Sequence, residues 1–301
     1  MHAETSCDTR ARPTPTATEL ARSATATASA AGLAARGWVA ALLHPWLMMR
    51  LVTARHPGLR YIQIIPVAIA LWGLDDAVRF RADAAIDGMR NAPAVDAISG
   101  ELGGSFARGW NSWLSLHAAL GTAAAWYYIV LQGALTGIVG IWLLWRRTPS
   151  FWLHRNALIA CNAIGLVAFW FYPVAPPRML PGYHDVTGAS VPVFSGLIEG
   201  KAADQFASLP SLHVTWALWA AVAACAVLRR PALRLLVWLY PLATILDVLA
   251  TGNHYWLDVI LAPGVLVLAY AVAAAPALAR RYGLLPLRRR PVAASSRASG
   301  H

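Results

Sequence analysis

The sequence predicts an all-α fold, a polytopic membrane helical bundle with about six transmembrane helices. Three observations predict it. Apolar side chains make up 58% of the 301 residues and charged ones 13%, with fourteen tryptophans, whereas soluble proteins carry roughly a quarter charged residues. Mostly apolar runs of about 20 residues, enough to cross the hydrocarbon, recur along the chain. Arginines gather in short clusters beside alternate ends of those runs, as cytoplasmic loops do.

Taken in order, residues 1–35 are rich in Ala, Thr, Ser and Arg and cannot bury enough apolar surface to offset their ordering entropy, so a disordered N-terminal tail is expected. No basic start followed by a compact apolar core and a small-residue cleavage site stands near Met1, so the first span is expected to direct insertion. Residues 36–60 include "WVAALLHPWLMMRLV", apolar but broken by Pro45 and bearing His44 and Arg50; this reads as an interfacial segment. Spans are expected at about 61–78, 124–145, 157–174, 212–228, 233–250 and 257–279. The first holds Pro66 and reaches Asp75 and Asp76 early. Between it and the second, residues 79–112 mix charges with glycines and read as an amphipathic surface segment running into "WNSWLSLHAAL". Gly133, Gly137 and Gly140 form a small-residue ridge expected to pack closely. Residues 61–279 therefore form the membrane domain, and 280–301 a basic C-terminal tail.

The net charge of +11 comes from 24 arginines and one lysine, set against 14 acidic residues. Its clustering beside apolar runs points to topology and anionic headgroups, not nucleic acid. Arg146, Arg147 and Arg155 follow the second span, Arg229, Arg230 and Arg234 the fourth, and Arg280, Arg281 and Arg288 to Arg290 the sixth. These loops and both tails are expected in the cytoplasm, and the loop at 175–211 and the turn at 251–256 on the opposite face. Cys7, Cys161 and Cys225 offer neither a disulfide framework nor metal-ligand spacing.

Three stretches converge on the outer face: "YPVAPPRML" with Arg178, "SLPSLHV" with His213, and "TGNHYWLDV" with His254 and Asp258. His254 and Asp258 stand four residues apart, so a helix starting near them would carry both on one face. An aspartate so placed holds one ring nitrogen and leaves the other free as a nucleophile. Taken singly, each residue has a plainer reading: a boundary histidine, a headgroup anchor, an ordinary turn. Their coincidence at one membrane depth favours a site. Asp247, inside the fifth span, reads as a structural partner for a cation or a backbone group.

These residues, in this order, resemble the type 2 phosphatidic acid phosphatase (PAP2) superfamily, and more closely its branch containing the fungal inositol phosphorylceramide synthases. The family pattern places an Arg in a first motif, Pro-Ser-Gly-His in a second, and Ser-Arg followed by His-x-x-x-Asp in a third. Here "APPR" ends at Arg178, "PSLH" at His213, and "HYWLD" runs from His254 to Asp258, with the similarity covering roughly residues 60–275. Phe171 stands where the broad family has a lysine, Val248 where it has the third-motif arginine, and Leu212 where it has the glycine. The inositolphosphotransferase-like branch tolerates these changes and shares the Pro-Ser-Leu-His form.

The resemblance implies an integral protein of the plasma (inner) membrane that cleaves or transfers the phosphoryl group of a lipid phosphoester at the extracytoplasmic face. His254 would be the nucleophile, forming a phosphohistidine; Asp258 would orient it, and His213 would act as general acid and then base. Arg178 would clamp the phosphate, with Ser211 and its neighbouring backbone N–H groups, Asn253 and the sole lysine, Lys201, making up the missing cations. Asp185 and Asp204 are expected to contact a polyol. No metal or other cofactor is expected. The partners are the lipid phosphoester and membrane lipids, no nucleic acid is implied, and no oligomeric state is read. A non-catalytic lipid-phosphate binding or transport protein would account for Arg178 and the basic loops, but not for an Asp four residues after His254.

Overall fold

The computed structural model describes residues 84–146, 148–191 and 206–281. All lie in the second of two units of the chain, Ile64–His301. The expected tail at 1–35, the interfacial segment at 36–60, the span at 61–78, Lys201, Asp204 and nearly all of the tail at 280–301 fall outside the described residues.

Among the described residues every regular element is helical. Helix α1, Ala84–Ser99, runs through a π-helical turn at Gly100–Gly104 to α2, Phe106–Ser115. The "amphipathic surface segment" of the sequence is thus two helices, one apolar face of which packs inward through Ala107 and Leu114. Helix α3, Ala118–Trp126, continues through a π-helical turn at Tyr127–Leu131 into α4, Gln132–Trp145. Helix α5 is Phe151–Phe171, and the short α6 is Val186–Ser190. Helices α7, Leu212–Val227, α8, Pro231–Leu236, α9, Leu239–Ala250, and α10, Trp256–Arg281, complete the bundle.

Three of these rods are long and apolar enough to cross a membrane: Ala118–Trp145, Pro231–Ala250 and Trp256–Ala279. The expected spans at 157–174 and 212–228 differ in physical detail. Helix α5 starts six residues early because His154, Arg155 and Asn156 continue the helix beyond the apolar run; its 21 residues reach about 31 Å, enough to span, but with polar groups aboard. Helix α7 is apolar but only 16 residues long, about 24 Å.

Local chemistry explains the ends that matter. Pro173 stops α5, since the residue before a proline is pushed out of the helical region, and Tyr172 is at φ −140°. Ser211 caps α7, its hydroxyl accepting from the Val214 N–H. Pro231 opens α8, where its missing N–H costs nothing. Helix α7 lies centrally, against α4, α5, α9 and α10, and α5 packs along α10. A Cβ on Gly165 of α5 would come within 2.7 Å of Leu212, so the glycine lets α5 approach the start of α7.

Two buried clusters flank the start of α7 and α10. One joins Ala92 and Val95 of α1 to Val174, Ala175, Phe206 and Tyr255. The other joins Ala107, Val214, Val248, Leu249, Val259 and Ala262. On the outside, Ile138, Ile141, Phe171, Leu235 and Val267 are all more than half exposed, the apolar surface that a bilayer covers. Among the described residues, nothing lies within 4 Å of a Cβ placed on Gly133 or Gly137 of the expected glycine ridge, and only Gly140 meets a neighbour, Trp219 at 3.8 Å.

Candidate active site

The turn between α9 and α10 fixes His254. Helix α9 ends as Gly252 adopts φ +72°, a left-handed conformation open to glycine. The N–H groups of Gly252, Asn253 and His254 then return to the carbonyls of Leu249 and Val248 at 3.1 to 3.2 Å. Helix α10 starts only at Trp256. His254 and Asp258 are therefore not on one helical face, contrary to the expectation from their spacing. Asp258 stands instead in the first turn of α10 and reaches back, accepting from the Tyr255 N–H at 2.9 Å as the acidic residue of a capping box does. That return brings its carboxylate to the histidine preceding the helix.

The hydrogen bonds around His254 assign its tautomer. Its Nδ1 faces two oxygens, the Ser208 carbonyl at 2.9 Å and Asp258 Oδ2 at 3.1 Å. A carbonyl only accepts, so Nδ1 carries the proton and, in the neutral ring, Nε2 presents a lone pair. Nε2 faces His213 Nδ1 at 3.3 Å, which makes His213 the donor across that contact. Asp258 Oδ2 also accepts from the Ser208 hydroxyl at 2.7 Å. His254, Asp258 and Ser208 are each less than 5% exposed, so these bonds act in a medium that weakens them far less than water would. The His213 ring rests on Tyr128, centroids 4.5 Å apart, and edge-on to Trp216 at 5.5 Å.

Arg178 comes to the same turn from the other side. It lies in a single 3₁₀ turn, Pro177–Met179, and its backbone N–H donates to the Gly252 carbonyl at 2.9 Å. Its guanidinium donates to Asn253 Oδ1, the residue beside His254, and its Nε lies 3.8 Å from Asp185. Asn253 donates in turn to Thr187 and Thr251 at 3.0 and 2.8 Å. Among the described residues the guanidinium hydrogen-bonds Asn253 alone and meets Asp185 through Nε, so of its five N–H donors several remain for an anion. Asp185 also caps α6, accepting from the Gly188 N–H at 2.9 Å.

The fold thus gathers His213, His254, Asp258, Arg178 and Asn253. It does not leave Ser211 to a ligand. That residue is wholly buried, its hydroxyl spent on the Val214 N–H and its own N–H directed at the Asp258 carbonyl at 3.4 Å. Among the described residues the Asp247 carboxylate pairs with neither a cation nor a backbone group; its Oδ2 accepts from Gln132 at 2.9 Å.

Three participants escape the sequence reading. Ser208 stands three residues before Ser211 in "SLPSLH" and looks like loop composition, yet its carbonyl and hydroxyl hold both His254 and Asp258. Asn111, fully buried, donates to the His184 and Ala250 carbonyls at 3.0 Å each and accepts from the His184 N–H at 2.7 Å. It ties α2 and the segment after Arg178 to the end of α9. Beside it, Asp96 accepts from Tyr183 and from Arg108, both at 2.8 Å. Burial, then the Asp96 carboxylate, pushes the Tyr183 phenol up to about 12, so it remains a donor at neutral pH. The lone Asn in "WNSWLSLHAAL" was the available signal for this clamp.

The family model described as the PAP2 superfamily matches residues 94–274, which include every residue of this site. No curated protein and no solved structure matches the chain. The match covers more than half of the 301 residues, and it falls on a bundle with three membrane-length apolar helices. The chain is an integral membrane protein that belongs to the PAP2 superfamily, and membership supports a phosphatase or phosphotransferase type of function.

Proposed function

We propose that the protein transfers or hydrolyses the phosphoryl group of a lipid phosphoester through a phosphohistidine on His254, at the extracytoplasmic face of the plasma (inner) membrane. One observation carries the reading: His254 Nδ1 is held by two acceptors, so Nε2 offers its lone pair directly toward the proton-bearing His213. In the first step Nε2 attacks phosphorus, the P–O bond to the leaving oxygen breaks, and the His213 proton passes to that oxygen. The imidazolium-like ring that results is stabilised by Asp258. In the second step His213 takes the proton of the acceptor hydroxyl, whose oxygen attacks phosphorus as the P–N bond breaks and its electron pair returns to Nε2. Arg178, steadied by Asn253, holds the phosphate oxygens.

Water as acceptor makes a phosphatase and an alcohol makes a transferase. The Pro-Ser-Leu-His form, with Val248 and Phe171 in place of basic residues, favours the inositolphosphotransferase-like branch, and the arginine clusters favour the outer face. Purified protein in detergent is to be given labelled lipid phosphates with and without inositol. Phosphate release or transfer to the alcohol, blocked by vanadate as a mimic of the pentacoordinate phosphorus, is expected. A protein that turns over no lipid phosphoester and is indifferent to vanadate is a binder or transporter instead.

A further inference from the structure

Buried indole N–H groups normally find an acceptor, and two tryptophans of the bundle obey this. Trp219 donates to the His154 carbonyl at 2.8 Å and Trp256 to the Leu102 carbonyl at 3.1 Å. Trp216 does not: its Nε1 is buried and has no hydrogen-bond partner among the described residues. It stands three residues after His213 on α7, on the same face and about 4.5 Å further along the axis into the apolar part of the helix. Its ring lies against the His213 ring, centroids 5.5 Å apart. A donor left unsatisfied in an apolar environment costs free energy that an acceptor entering the site recovers.

We propose that Trp216 reads an acyl carbonyl oxygen of the lipid substrate, its indole N–H donating to that oxygen one helical turn deeper than the phosphate held at His213 and His254; this rests on the function proposed above. An acylated lipid phosphate carries such an oxygen between its phosphate and its hydrocarbon chains, and the chains must run toward the apolar end of the site. Entry of the phosphoryl group has to part the two imidazoles, now 3.3 Å apart. His213 packs against the Trp216 indole, so a lipid whose phosphate enters between the imidazoles lies next to that ring. Trp216 thereby sets specificity, favouring acylated lipids over lipids that lack the carbonyl.

The test compares 1,2-diacylglycerol 3-phosphate with the dialkyl ether of equal chain length, which has no carbonyl, in mixed micelles. The wild type should favour the diacyl lipid in kcat/KM, and Trp216→Phe should lose about 3- to 10-fold on the diacyl lipid alone, bringing the two substrates level. Equal loss on both, or no loss, overturns the inference. If Trp216→Phe does not fold, the wild type still decides: absence of a diacyl preference overturns it. Turnover of a polyprenyl phosphate but of neither glycerolipid also overturns it while leaving the proposed function standing. Turnover of no lipid phosphate removes the function itself.

Discussion

At the scale of single residues, the division of labour between His213, His254 and Asp258 has graded consequences. General acid catalysis contributes about 10²- to 10⁴-fold when the leaving group is a poor alkoxide. His213→Ala should therefore lose that much in burst rate with an alkyl lipid phosphate and far less with an aryl phosphate of similar bulk, whose phenolate leaves unaided. Equal losses would deny His213 the proton-delivery role. Asp258→Asn should lower kcat roughly 10²- to 10⁴-fold, because an amide can turn its NH₂ toward His254 and favour the wrong tautomer. Ser208→Ala should be milder, about tenfold, since it removes one hydrogen bond to the carboxylate while the Ser208 carbonyl still holds Nδ1. A single-turnover series on the three variants orders them. The histidines, Asp258 and Arg178 were legible in the sequence because ionisable groups stand out in apolar runs. Ser208 was not, because an ordinary loop serine gains its meaning only when α7 and α10 bring residues 208 and 258 together.

At the scale of elements, the site depends on a turn that has little freedom. Gly252 holds φ +72°, and a Cβ there would lie 3.0 Å from Asn111 Nδ2 and 3.3 Å from the His184 carbonyl. Asn111 closes three hydrogen bonds across α2, the segment after Arg178 and α9. Asn111→Ala would strand those backbone groups and should cost about 3 kcal/mol, lowering Tm by roughly 6 to 12 °C in detergent. An unchanged Tm would mean that the clamp does not hold the turn. The starts of α7 and α10 were readable to within a residue, at 212 and 256 against the expected 212 and 257. Pro210 and Ser211 announced the first, and the His-Tyr-Trp turn the second. The expectation of a shared helical face failed for a physical reason: four-residue spacing describes a helix, whereas here a capping carboxylate spans a helix start. Of the glycine ridge, Gly140 alone meets a neighbour among the described residues, because small residues permit close packing without supplying a partner.

At the scale of the whole molecule, apolar rods and arginine placement give a topology that single-cysteine labelling checks. In a background lacking Cys7, Cys161 and Cys225, Ala189→Cys in α6 and Ala232→Cys in α8, both at exposed positions, should react with an impermeant reagent from outside and from inside respectively. Labelling of Ala232→Cys from outside in intact cells would place the site on the cytoplasmic face. The all-helical fold was legible because composition alone demands burial in lipid, and the pairing of distant helices was not, because nothing in an apolar run names its partner. The central claim is covalent: phosphorus passes through His254 Nε2. Protein incubated with a lipid phosphate labelled at phosphorus and quenched in alkaline denaturant, which spares a P–N bond, should carry label on a histidine of the peptide containing residue 254. The wild type should lose that label on chase with acceptor, and His254→Ala should never acquire it. Label that persists in His254→Ala, or turnover in the wild type with no labelled histidine at any time, would contradict the account.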